Sequence, residues 1–281
     1  MPDVRVLTWN LFHGRAVPSA GRPLLHEFAT TLAAWPWDVA LLQEVPPWWP
    51  PLLARAAGAD HRAVRTSRNA LLPARRAVAS RRPDLLKANG GGADAILVRG
   101  GLRIDAHAAR RLRAWPERRI VHAVRLAVPA SGHAGGPSVL DGRPADPTSP
   151  DPGSSGAFAG CWVGNLHAQG PSAATHDGPD GPGVPADAPV AFDALARWTG
   201  PDDGRPVLLG GDFNLRPGEL DGALPAGWSR LASRDVDHLT ARGAQAVGAA
   251  SFPDRTLADG GLLSDHPPLS LRVVARAPPP T

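Results

Sequence analysis

The chain has 281 residues, 43% of them hydrophobic, enough for a sizeable core and too many for a disordered or low-complexity protein. Its one cysteine, Cys161, excludes an intrachain disulfide and any two-thiolate metal site, and fits a reducing compartment. Net charge is +4 while the sequence pI is about 10.6, because nearly every base is arginine. Arginine suits bidentate contacts to phosphate. The same excess follows from the codon bias of a GC-rich genome, so total charge does not single out nucleic acid as a partner. The length allows two domains or one large α/β domain. The N-terminus lacks the charge-then-apolar pattern of a signal peptide, and no apolar run reaches membrane-spanning length, so a soluble cytoplasmic protein is expected.

Val4-Arg5-Val6-Leu7-Thr8-Trp9-Asn10 alternates as a strand and runs out into Phe12 and His13. Residues 22–35 carry Leu24, Leu25, Phe28 and Leu32 at helical spacing, and Pro36 ends that helix. Residues 38–44 form a second strand that delivers Glu44 before Pro46 and Pro47 stop it. Strand, crossover helix and strand at this spacing are an α/β opening. A short helix is compatible with residues 48–57. Residues 62–82 hold seven arginines and no acid, which reads either as a phosphate-facing loop or as a solvated basic surface.

Residues 89–92 mark a turn before a strand at 93–98, and residues 120–128 alternate as a half-buried strand. Segments 129–156 and 170–189, rich in Pro, Gly, Ser and Asp, have the composition of mobile insertions within one domain spanning 1–276. Helix is expected at 192–198 and strands at 206–211, 236–240 and 269–274, followed by a frayed tail from 277 to 281.

The decisive segment is Leu208-Leu209-Gly210-Gly211-Asp212-Phe213-Asn214, an apolar run that ends in a carboxylate and an amide. Alone it could also be a turn in which Asp and Asn accept backbone hydrogen bonds, the lesser of the two readings. Similar polar strand ends recur along the chain: Asn10 in Thr-Trp-Asn-Leu, Glu44 in Leu-Gln-Glu-Val, Asn165 and His167 in Gly-Asn-Leu-His, and Asp265 and His266 in Ser-Asp-His-Pro. Their order resembles that of the magnesium-dependent endonuclease/exonuclease/phosphatase superfamily, which includes deoxyribonuclease I-like members. The resemblance extends from about residue 4 to 274. It implies an α+β fold, a four-layer αββα sandwich in which two facing mixed β-sheets are flanked by helices.

The resemblance also implies roles. Glu44 would bind magnesium, or manganese in its place, with Asn10 and Asp265 contributing, since a hard cation takes oxygen ligands. Asp212 would activate a water, Asn214 would position water and phosphate, and His266 and His167 would meet the scissile phosphate. Asp237 resembles the aspartate that pairs with the final histidine and fixes its tautomer. Asn165 joins the catalytic set through its motif. An isolated glutamate or histidine is usually a surface or structural residue, so these assignments depend on their motifs. His13, His107 and His122 have no such context and are read as structural.

Asp94 departs from the pattern, standing where many members have an asparagine, and would adjust metal or substrate binding unless it faces solvent. Arg118 and Arg119 are equally read as phosphate ligands or as surface residues. The leading expectation is a metal-dependent phosphodiesterase or nuclease acting on a phosphate ester, DNA among the candidates. A phosphomonoesterase, a lipid or small-molecule phosphodiesterase, and a catalytically silent binding module remain as alternatives. The sequence leaves the oligomeric state open.

Overall fold

The computed structural model describes residues 3–66, 71–79, 81, 92–114, 117–128, 154–169, 187–200 and 204–276. Strands are numbered in chain order. One six-stranded sheet runs, edge to edge, β12 (Ala244–Ser251), β14 (Leu269–Ala275), β1 (Asp3–Asn10), β3 (Val39–Val45), β5 (Ala93–Val98) and β4 (Asp60–Arg65). The second runs β10 (Trp228–Arg234), β11 (Asp237–Arg242), β9 (Val207–Asp212), β8 (Trp162–His167), β7 (Arg119–Ala127) and β6 (Arg103–Arg113). A two-stranded ribbon joins β2 (Ala16–Val17) to β13 (Leu262–Leu263).

Pairing is antiparallel except at the centre of each sheet, where β1 lies parallel to β3 and β8 parallel to β9. Parallel neighbours need a crossover, and helices supply it. Helix α1 (Leu25–Ala34) follows β1, α2 (Pro50–Ala57) follows β3 and α3 (Leu72–Ala79) follows β4; α4 (Asp187–Thr199) joins β8 to β9, with α5 (Pro217–Ala223) beyond. Each parallel pair therefore brings two strand ends to the same rim: Asn10 is in register with Gln43, next to Glu44, and His167 with Asp212.

Three apolar layers hold the sandwich. Val6, Leu41, Ile96, Val124, Val163 and Leu271 fill the space between the sheets. Phe28, Leu32 and Leu53 of α1 and α2 cover the outer face of the first sheet with Trp9 and Leu42. Phe192, Leu195 and Leu220 of α4 and α5 cover the second with Leu166 and Leu209. The order is helices, sheet, sheet, helices, the expected four layers.

The expected elements are all present with shifted ends. The first helix is Leu25–Ala34, with Trp35 already extended ahead of Pro36. The helix expected at 192–198 starts at Asp187, so residues 187–189 leave the expected loop. The Asp187 carboxylate explains the early start, accepting the Gln169 N–H at 2.8 Å and facing Arg113 at 3.4 Å. Ser154–Phe158 is a short 3-10 turn at the end of the other expected loop, and Phe158 is fully buried. The rest of both insertions and the tail 277–281 lie outside the described residues.

Gly211 shows why the signature strand carries glycine. Its φ is 139°, and a Cβ there would come 1.9 Å from the Leu166 carbonyl oxygen. Only glycine lets β9 approach β8 this closely and turn Asp212 towards the rim.

Candidate active site

Two polar clusters support the rim from below. Asn165 is completely buried; its Nδ2 donates to the Leu42 and Ala95 carbonyls at 2.9 and 3.0 Å, and its Oδ1 accepts from Gln43 Nε2 at 2.7 Å. Its amide thus bonds the second sheet to the first and lies under the site, with its polar atoms engaged by the chain itself. Ser264 ties the C-terminal loop down: its Oγ donates to the Asn10 carbonyl at 2.6 Å and accepts the His266 N–H at 3.1 Å. Trp9 Nε1 donates to the His266 carbonyl at 3.0 Å. Neither Trp9 nor Ser264 was singled out by sequence, although both flank motif residues.

Asp212 is at the centre and almost wholly buried. Asn10 Nδ2 donates to its Oδ2 at 3.1 Å and the Asn214 N–H to its Oδ1 at 3.0 Å. His167 Nε2 and His266 Nε2 stand 3.7 and 4.0 Å from Oδ2. Burial raises its carboxyl above the usual range, opposed by the His266 charge and the hydrogen bond from Asn10. Asn214 is anchored through Nδ2 to the Ala168 carbonyl at 3.0 Å.

His266 Nδ1 meets the Asp237 carboxylate at 2.7 Å. Asp237 opens β11 opposite Asp212. Burial disfavours a charged imidazole, yet the hydrogen bond and charge of Asp237, with Asp212 and Asp265 behind, raise His266 to about 9. The buried Asp237 carboxyl is raised too, against the pull of His266. With two groups sharing the site at 2.7 Å, the proton resides on the imidazole and the carboxylate keeps the charge.

His167 is the opposite case. Arg119 Nη1 lies 2.9 Å from its Nδ1, and a guanidinium can only donate. Nδ1 must accept, so the neutral ring carries its proton on Nε2, aimed between Glu44 and Asp212. Burial and the Arg119 charge hold its pKa well below the ordinary value. Arg119 is buried and paired with Glu117 at 2.8 Å, while Arg118 donates to the Thr66 carbonyl.

Glu44, one residue before the end of β3, is in a left-handed conformation, φ 51°. His13 (φ 54°), Asn214 (φ 50°) and Ser264 (φ 67°) share that unfavourable region. Non-glycine residues held there concentrate at functional sites. Glu44 Oε2 is 3.1 Å from His13 Nε2 and Oε1 is 3.8 Å from His167 Nε2. His13, read from sequence as structural, is thus a site residue. The missing signal is its backbone turn, which folds it back from a position three residues past Asn10. His107 and His122 pair with each other at 3.3 Å and take no part; burial lowers His122 to about 3.

The donor set fits a hard divalent cation. Burial raises the Glu44 carboxyl despite Arg119, and the Asp265 charge raises it further, as expected of carboxylates gathered without a counter-ion. Asp265 is exposed. Asn10 Oδ1 already accepts the Phe12 N–H at 3.0 Å, leaving one lone pair for an ion. Asp212, Asp237 and His266 also present ligand atoms within 4.8 Å of one another. The Asp237–His266 hydrogen bond engages Nδ1 there. Asp94 does not face solvent. It is fully buried and raised to about 8 by burial against the Arg119 charge; the Glu44 backbone amide lowers it somewhat without forming a regular hydrogen bond.

The model of the Endonuclease/Exonuclease/phosphatase family matches residues 7–266. The chain belongs to that family. Family members hydrolyse phosphate esters, and every motif residue above lies within the match. The fold is shared with the endonuclease/exonuclease/phosphatase from Beutenbergia cavernae at a TM-score of 0.62 and 16% identity, over 98% of this chain and 72% of that one. The Bacteroides vulgatus endonuclease/exonuclease/phosphatase superposes with a TM-score of 0.62 at 12% identity, over 98% and 100%. D. rerio TDP2, solved in complex with a single-strand DNA product, gives 0.59 at 12% identity, also over 98% and 100%. No curated protein matches the chain by sequence.

Proposed function

We propose that this protein is a divalent-metal-dependent phosphodiesterase, with nucleic acid its substrate and a water near Asp212 its nucleophile. The observation that carries the reading is the Asp212 carboxylate, buried under two imidazoles of opposite protonation. Glu44, with Asp265 and the free lone pair of Asn10, would hold magnesium or manganese. Bound there, the ion would neutralise phosphate charge and stabilise the leaving oxygen. Asp212, raised by burial and fixed by Asn10 and the Asn214 N–H, is suited to orient a water and take its proton. His266, protonated and steadied by Asp237, donates from Nε2 to a phosphate oxygen as charge accumulates. His167 Nε2–H offers a second, neutral donor from the opposite side.

The single-strand DNA product bound by D. rerio TDP2 supports nucleic acid as the substrate class. In the test, the purified protein meets bis(p-nitrophenyl) phosphate and single-stranded DNA with magnesium. Hydrolysis of both by wild type, abolished in chelator and reduced by on the order of 10³-fold or more in Asp212→Ala, is the expected result. Wild-type hydrolysis of phosphomonoesters alone contradicts the diesterase assignment.

A further inference from the structure

The arginine-rich stretch at 62–82 is partly accounted for by a pocket. Pro47 and Trp48 from the loop after β3, Arg65 at the end of β4, Leu72, Pro73, Arg76 and Ala77 of α3, and Arg81 beyond it enclose about 760 Å³. Among the described residues no carboxylate lines it. Trp48 is half-buried, packed against the outer core of the first sheet while also lining the pocket. Leu72 with Arg76 and Pro73 with Ala77 are four apart, so one face of α3 supplies them. That helix buries none of its residues, and Leu71 just before it and Val78 within it are exposed, so core packing does not explain its composition.

The pocket adjoins the active-site rim. Pro47 and Trp48 follow Glu44 by only a few residues. Thr66, next to Arg65, donates its N–H to the Gly92 carbonyl at 3.0 Å, and a Cβ at Gly92 would be 3.9 Å from His13 Cε1. His13 in turn touches Glu44 at 3.1 Å.

We infer that this pocket is a subsite for an unpaired nucleic-acid strand, seating a base on Trp48 and flanking phosphates on Arg65, Arg76 and Arg81, beside the bond that is cut. The inference rests on the diesterase reading above and adds where the rest of the substrate lies. A guanidinium matches a phosphate in charge and in donor geometry. An indole stacks an unpaired base of any sequence. Only a strand supplies phosphate and π-face alternately next to the scissile diester. An inositol phosphate head group would use the arginines and leave the aromatic wall idle.

Two variants test it, Trp48→Ala and the double variant Arg76→Ala/Arg81→Ala, each made in wild type and in Asp212→Asn. In the Asp212→Asn background, fluorescence anisotropy reads binding of a single-stranded oligonucleotide. Affinity is expected to fall about five-fold or more for Trp48→Ala. The arginine pair should also flatten the dependence of affinity on salt, by roughly the slope of two phosphates. In the wild-type background, hydrolysis of bis(p-nitrophenyl) phosphate, too small to reach the pocket, is expected to stay within about two-fold on the same logic of remote binding.

Unchanged oligonucleotide binding overturns the subsite, as does an equal loss on the small diester. Variant-sensitive binding to phosphoinositide vesicles with no oligonucleotide binding also overturns it, in favour of a lipid head group. If wild type fails to cleave the small diester, the diesterase reading falls, while the anisotropy still decides the subsite.

Discussion

Around Asp212 the two histidines differ in what holds their far nitrogen. Asp237 accepts from His266 and makes it a cation; Arg119 donates to His167 and keeps it neutral. Each leaves an Nε2–H facing the same carboxylate, one with full charge and one without. The His266 pair also sets a pH dependence. Its folded pKa, about 9, lies above an unfolded value near 6.5. Its contribution to stability is therefore complete below about pH 6.5 and is lost as pH rises through 9. Denaturant unfolding in chelator is expected to show wild type losing on the order of 1–3 kcal/mol between pH 6 and 9.5, a slope that Asp237→Asn removes. Identical pH slopes for the two proteins would show that the pair is not formed as described. Of these residues, sequence exposed the motif members and left Arg119 undecided. It could not expose His13, whose place depends on two consecutive left-handed residues, Phe12 and His13. For Asn165 the motif suggested chemistry, and the structure gives the amide an inter-sheet bond that only the paired sheets create.

The elements that matter are the two parallel pairs, because they alone place four strand ends on one rim. Strands inside the sheets are buried on both faces and read in sequence as apolar runs, which is why β3, β5 and β9 were legible. The edge strands were not. β6 alternates in exposure but is rich in Ala and Arg, and β12 is mostly exposed Ala, Gly and Gln, so neither carries a clear apolar period. β4 falls at the start of the arginine-rich stretch and was masked by its charge. Close approach within the β8–β9 pair gives an element-scale prediction. Gly211→Ala would put a methyl 1.9 Å from the Leu166 carbonyl oxygen on backbone that disfavours any side chain. A loss of at least about 3 kcal/mol in unfolding free energy is expected, with β9 displaced or the protein insoluble. A variant of near wild-type stability would mean that the two strands do not approach this closely.

Across the whole molecule, three apolar layers and one polar rim divide the labour. The layers make the sandwich rigid; Asn165 and Gln43 lock one sheet to the other directly under the rim, so Glu44 from one sheet and Asp212 and His167 from the other keep their spacing. No helix among the described residues is long and apolar enough to cross a membrane. The order of motifs let sequence reach this architecture, since four of the five lie at the ends of the central strands β1, β3, β8 and β9. The pocket beside the rim was not legible, because it draws on separate segments scattered between Pro47 and Arg81.

In the proposed mechanism Glu44 would hold the cation at this rim. The measurement that tests it most directly is the rate of bis(p-nitrophenyl) phosphate hydrolysis as magnesium is titrated into metal-free wild type and Glu44→Gln. No turnover is expected without metal, with saturation in wild type and a half-saturating magnesium concentration raised by about ten-fold or more in the variant, as loss of a carboxylate ligand entails. Turnover in chelator, or the same magnesium dependence in both proteins, would contradict it.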